Sequence, residues 1–184
     1  MARRKLEIEL LYLDLDVCQR CQGTDRNMEE AIAEVSQILE ATGTEIEVKK
    51  THVETEEQAR QLGFISSPTI RINGRDIQLD VKETRCESCG DLCGEEVDCR
   101  IWTYQGKEYT VPPKAMIIEA ILREVYGSPQ EMQEPKEPAH DIPENLKRFF
   151  AAKQKKQAQA DRAVYSATSC CLSKDFCSPG GCCG

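Results

Sequence analysis

Eleven cysteines stand in three clusters: Cys18 and Cys21; Cys86, Cys89, Cys93 and Cys99; and Cys170, Cys171, Cys177, Cys182 and Cys183. Cysteine sulfur does two kinds of chemistry, nucleophilic exchange as a thiolate and ligation of soft metal ions. No secretory signal is visible, since Arg3, Arg4 and Lys5 run into an alternating Leu-Glu-Ile-Glu pattern. A cytoplasmic location is therefore expected, where clustered cysteines favour metal binding or thiol chemistry over a disulfide framework. An odd count also rules out complete internal pairing.

The first cluster, Cys18-Gln-Arg-Cys21, lies between an apolar run with strand character and a helical pattern. A redox dithiol needs two sulfurs close enough to bridge and one thiolate to attack. The spacing meets the first need, and helix amides meet the second by favouring the charged form. In this reading Cys18 attacks and Cys21 resolves the mixed disulfide. Gly23-Thr24 is expected to delay the helix to about Asp25, and Asp14 and Asp16 to oppose activation by like charge if they face the pair.

The second cluster has spacings of two, three and five residues, with Gly90 and Gly94 allowing tight turns. Cys86, Cys89, Cys93 and Cys99 are expected to surround one zinc, which would order an acidic loop with little apolar content. An iron–sulfur cluster is the lesser alternative, lacking a proline-terminated ligand run. Two disulfides, or a relay from Cys99 to the first pair, compete with metal. In the tail, the neighbours Cys170-Cys171 and Cys182-Cys183 bridge poorly with each other but suit chelation. Together with Cys177 they are read as tethered ligands or a relay that delivers electrons or a thiophilic ion to Cys18 and Cys21.

The elements that must position these sulfurs read as β-α-β-α-β, an insertion, then β and α. Residues 5–15 are apolar on both faces, as in a central strand covered on both sides. A helix follows with Met28, Ile32, Val35 and Ile38/Leu39 inward, ended by Gly43. A strand around Ile46 and Val48 and a short helix capped by Thr55 come next. After Ser67-Pro68, Thr69-Ile-Arg-Ile enters an Asn73-Gly74 turn. Residues 82–99 are the insertion. Strand character returns over 100–111, and Pro112-Pro113 opens a helix over 114–126. The domain is expected to end near Gly127. Residues 128–145 read as a linker, 146–165 as a marginal helix without an anchor, and 166–184 as a flexible cysteine-rich tail.

Strand, Cys18-x-x-Cys21, helix and then Pro68-Thr69 resembles the thioredoxin-like superfamily over residues 5–127. With the 82–99 insertion and Cys99-Arg-Ile-Trp after it, the chain resembles in particular an uncharacterised family of small bacterial and archaeal thioredoxin-like proteins. The resemblance implies an α/β, thioredoxin-like βαβαββα core with a mixed central sheet. It further implies that Pro68 is cis and faces the Cys18/Cys21 pair, with the backbone of Ser67 free to bind an extended substrate.

The formal charge of −8 argues against nucleic acid, which needs a clustered cationic surface. From Lys153 onward five Lys/Arg meet two Asp/Glu, a net +3 that leaves −11 on the rest. No apolar run approaches a membrane span, and no nucleotide fingerprint is present. Beside a structural reading, an interaction module whose loop zinc staples, two functions follow. One is a thiol-disulfide oxidoreductase-like protein working with a thiol or disulfide partner, on or with thiophilic ions. The other is a binding protein or carrier for zinc, copper, arsenic or mercury without redox turnover. The oligomeric state is left open.

Overall fold

The computed structural model describes residues 4–93, 96–127 and 141–169, with backbone alone for 91–93 and 161–169. Strand β1 (Arg4–Tyr12) lies inside a four-stranded sheet. It pairs in parallel with β2 (Thr44–His52) and antiparallel with β3 (Thr69–Ile72), which continues antiparallel into β4 (Arg75–Asp76). Helices α1 (Gln19–Ala41) and α2 (Glu56–Gln61) make the two crossovers, and α4 (Lys114–Tyr126) returns beside α1. This is the βαβαββα α/β core with a mixed sheet that the residue patterns suggested.

Both faces of β1 are covered, as its two-sided apolar pattern requires. Leu6, Ile8 and Leu10 pack with Met28, Ala31, Val35 and Leu39 of α1 and Ile117, Ile121 and Val125 of α4. Leu11 and Leu13 face a second cluster that contains Cys18, Cys21, Cys86, Cys89 and Cys99. The cysteines thus sit in a core of the protein rather than in a surface loop. Asn73-Gly74 and Gln105-Gly106 both take positive φ, the backbone a two-residue hairpin turn demands.

The insertion is itself built structure: β5 (Lys82–Arg85), α3 (Glu87–Cys93) and β6 (Asp98–Tyr104). With β7 (Lys107–Tyr109), β5 and β6 form a separate three-stranded antiparallel sheet. The hairpin over 100–111 therefore belongs with the insertion instead of widening the central sheet.

Two local expectations are corrected. Helix α1 begins at Gln19 with Cys18 as its N-cap, not near Asp25. Gly23 is a packing residue: a Cβ there would come within 2.7 Å of Val111 Cγ2. Thr24 lies in the first turns, its hydroxyl donating to the Arg20 carbonyl at 2.8 Å. Ile38 is solvent-facing, so Leu39 and Ala31 carry the buried stripe in its place.

The second concerns α5 (Glu144–Ser169), which was expected to lack an anchor. Its start does the anchoring: Ile142, Leu146, Phe149 and Phe150 are buried in the cysteine-containing cluster. The two rings meet edge to face at 5.5 Å. Asn145 exchanges two hydrogen bonds with the backbone of Asp98 (3.0 and 2.8 Å) and donates to Glu83 at 3.3 Å. The polar Gln/Lys run beyond masks this anchor in sequence, because four residues at one end carry it. Phe149→Ala should lower unfolding free energy by about 3–5 kcal/mol in denaturant titration, as large core truncations do. Lys155→Ala on the exposed part of the same helix should change it by less than about 0.5 kcal/mol.

Candidate metal centre

The sulfurs of Cys18, Cys86, Cys89 and Cys99 lie within 4.8 Å of one another, all four residues buried. Cys18 comes from the end of the β1 loop as the N-cap of α1, Cys86 and Cys89 from around the start of α3, and Cys99 from β6. Two separated segments therefore meet: a core helix terminus and the insertion. Three of the four sulfurs expected for the zinc set are present, and Cys18 joins them; the side chain of Cys93 lies outside the described residues. Spacing within the insertion pointed to its own four cysteines, and nothing local in the sequence signals that Cys18 folds across to them.

Ionisation in this group is strongly interdependent. Hydrogen bonds from Cys21, then Cys86, Cys89 and Cys99, hold Cys18 far below the usual thiol range despite burial. Cys86 is lowered to about 7: its contact with Cys18 pushes the thiol up, and contacts with Cys89 and Cys99 outweigh it. Cys89 is pushed up by its contacts with Cys18 and Cys86, and Cys99 by those with Cys18, Cys86 and Cys89. The Cys99 thiol points at Cys89 sulfur, 3.4 Å away.

The shifts share one direction: negative charge is favoured on Cys18, and Cys89 and Cys99 are favoured as thiols beside it. Two thiolates no more than 4.8 Å apart repel by at least about 3.5 kcal/mol at an effective dielectric of about 20. Four sulfurs make six such pairs, so full ionisation needs a cation among them.

Cys21 stands apart from the set. It is fully buried, its sulfur 3.4 Å from Ser67 Oγ, and its backbone N–H reaches Cys18 sulfur at 3.4 Å. Contact with Cys18 chiefly, then burial, raises its pKa. Both cysteines of the pair are buried, Cys18 as fully as Cys21. Asp14 does not act as the opposing charge foreseen: its backbone amide favours the Cys21 thiolate, while its carboxylate accepts from the amides of Asp16 (2.9 Å) and Val17 (2.6 Å). Cys18, Cys21, Cys86, Cys89 and Cys99 form no disulfide.

The Ser67-Pro68 peptide is cis and adjoins Cys21 through Ser67. Ser67 Oγ also accepts from the Leu13 amide at 3.2 Å. Its carbonyl, expected to be open to an extended substrate, accepts from the Arg100 N–H at 2.8 Å. The insertion's own strand occupies that position.

Two arginines that sequence reasoning passed over fasten this arrangement. Arg20, inside the Cys18-x-x-Cys21 motif, donates to the carbonyls of Thr84 (3.3 Å), Arg85 (2.7 Å) and Cys99 (3.1 Å). Arg100 is fully buried and forks onto both Asp76 oxygens at 3.1 and 2.7 Å, with further bonds to Thr69 and Gln78. Its guanidinium lies 4.9 Å over the Trp102 ring. A planar fork suits such a pair, where lysine would offer a point charge.

The family model described as "Domain of unknown function (DUF2703)" matches residues 6–121. The chain belongs to the DUF2703 family. No curated protein and no solved structure matches it. The DUF2703 match spans the core and insertion together, including Cys18, Cys86, Cys89 and Cys99. Among the described residues no helix is long and apolar enough to cross a membrane. The tail sulfurs Cys170, Cys171, Cys177, Cys182 and Cys183 lie outside the described residues.

Asp76→Ala removes the counter-charge of a buried guanidinium, which costs about 3–5 kcal/mol where such pairs are broken from one side. Chemical denaturation should read that loss. Lys82→Ala, which breaks an exposed pair with Glu108, should leave the denaturation midpoint nearly unchanged, as solvent-screened pairs do.

Proposed function

We propose that this chain binds one soft divalent ion, zinc being the best fit, through Cys18, Cys86, Cys89 and Cys99. The observation that carries the reading is the mutual approach of four buried sulfurs to within 4.8 Å. A regular tetrahedron with edges of that length has its centre about 2.9 Å from each corner, against a zinc–sulfur bond of about 2.3 Å. At that outer limit a sulfur need shift by no more than about 0.6 Å, a side-chain adjustment. Four thiolates in a tetrahedron suit zinc or iron better than ions preferring fewer ligands. A sulfide-bridged cluster would have to seat several irons between these sulfurs, so their compactness favours a single ion.

The ion would complete its shell with protein sulfur alone, which is the closed form of site that holds structure together. It would staple the insertion to the N-terminus of α1, so that binding free energy becomes folding free energy. Copper, arsenic and mercury remain competitors for the same thiolates, and the five tail cysteines suit a role in delivering such ions.

A thiol-disulfide oxidoreductase is the second reading, supported by Cys18 at a helix N-terminus with Cys21 beside it. Two observations weigh against broad activity on polypeptides: both sulfurs are buried, and Arg100 takes the Ser67 carbonyl.

Protein purified anaerobically, with the five tail cysteines changed to serine, should hold one zinc per chain by elemental analysis. Cys18→Ser should lower zinc affinity by at least a hundredfold, whereas Cys93→Ser should leave it within about threefold. Metal-free wild type, or a loss confined to Cys93→Ser, contradicts the reading. Because thiols must lose protons to bind, affinity should fall as pH is lowered, and a chelator competition between pH 8 and 6 reads that sign.

A further inference from the structure

Cys18 takes part in two arrangements at once. It is the ligand that the core contributes to the four-sulfur group, and it is also the sulfur that the Cys21 amide reaches at 3.4 Å from the next turn of the same motif. Cys21 is buried next to that group without belonging to it, held by Ser67 Oγ at 3.4 Å. A sulfur joined to a second sulfur no longer carries the thiolate charge that a metal needs. The two uses of Cys18 are therefore exclusive.

From this geometry we infer that the site is a peroxide-sensitive metal holder, in which Cys21 withdraws Cys18 from the ligand set and so releases the ion. The inference rests on the metal-binding reading and assigns its regulation. Peroxide is the oxidant class because access is narrow. Cys18, Cys89 and Cys99 are fully buried and Cys86 is 3% exposed, which admits a two-oxygen molecule more readily than a bulky disulfide. The residues flanking Cys18, namely Asp16, Val17 and Gln19, are exposed, so solvent stands one residue away.

The chemistry balances in two steps. The Cys18 thiolate attacks one peroxide oxygen, the O–O bond breaks, and Cys18 becomes a sulfenic acid while hydroxide leaves and takes a proton to form water. The Cys21 sulfur then attacks the Cys18 sulfur; the S–O bond breaks, and the departing hydroxide leaves with the Cys21 proton as a second water. Two sulfurs have lost two electrons and one peroxide has gained them. Cys86, Cys89 and Cys99 remain, one corner short of a tetrahedron. The rival oxidation is between Cys89 and Cys99, whose sulfurs are 3.4 Å apart. It would remove two ligands without needing Cys21.

The test uses the full-length chain with the five tail cysteines changed to serine, loaded with zinc and then treated with hydrogen peroxide beside a chromogenic chelator. The parent should release its zinc, and Cys21→Ser, which keeps all four ligands, should load equally and release at least tenfold more slowly. Trypsin cuts after Lys5, Arg20 and Arg26, so a Cys18–Cys21 disulfide should appear in the treated parent as peptides 6–20 and 21–26 joined by a reducible link. Equal release from the parent and Cys21→Ser, or a link found at Cys89 and Cys99 in its place, overturns the inference and leaves the metal reading standing. A parent that never loads zinc overturns the metal reading, and this one with it. Should Cys21→Ser fold poorly, Cys21→Ala supplies the same comparison without a hydroxyl beside Ser67.

Discussion

Four buried sulfurs that cannot all carry charge by themselves are the constraint on which this structure turns. Repulsion among thiolates at these separations amounts to several kcal/mol for each pair, which favours charge on Cys18 and raises the thiols of Cys89 and Cys99. That is a compromise that a divalent cation resolves. Insertion and core meet here in one buried cluster, where Cys86, Cys89, Val97 and Cys99 pack with Cys18, Cys21, Leu11 and Leu13.

Around it the chain commits polar groups that ordinarily stay free. Arg20 turns its guanidinium onto three carbonyls of β5 and β6, and Arg100 spends its backbone amide on Ser67. Asn145 at the start of α5 closes the far side by binding the backbone of Asp98. Each of these bonds ties the insertion to a different part of the core: the helix N-terminus, the proline loop and the last helix. The arrangement directs the cysteines inward, toward one another, and away from outside thiols.

Much of this was legible in residue patterns, because the core elements follow hydrophobic periodicity. Leu6, Ile8 and Leu10 against Leu11 and Leu13 mark a strand covered on two sides, and α4 spans 114–126 as its period requires. Positive-φ turns at Asn73-Gly74 and Gln105-Gly106 sit where glycine permits them. What patterns do not carry is contact between distant segments. Gly23 resembles a helix delay unless one knows that Val111 presses on it. Cys18 belongs by spacing to Cys21 and by folding to Cys86, Cys89 and Cys99. Phe149 and Phe150 sit in a polar helix whose single apolar turn gives no sign that it caps the cysteine cluster.

X-ray absorption at the zinc edge of the loaded chain, compared between the parent protein and Cys18→Ser, tests the central claim most directly. Four sulfur neighbours at about 2.3 Å in the parent, falling to three with an oxygen or nitrogen in the fourth place in Cys18→Ser, is the predicted result. An unchanged four-sulfur shell after Cys18 is replaced, or a mixed shell in the parent, would contradict it.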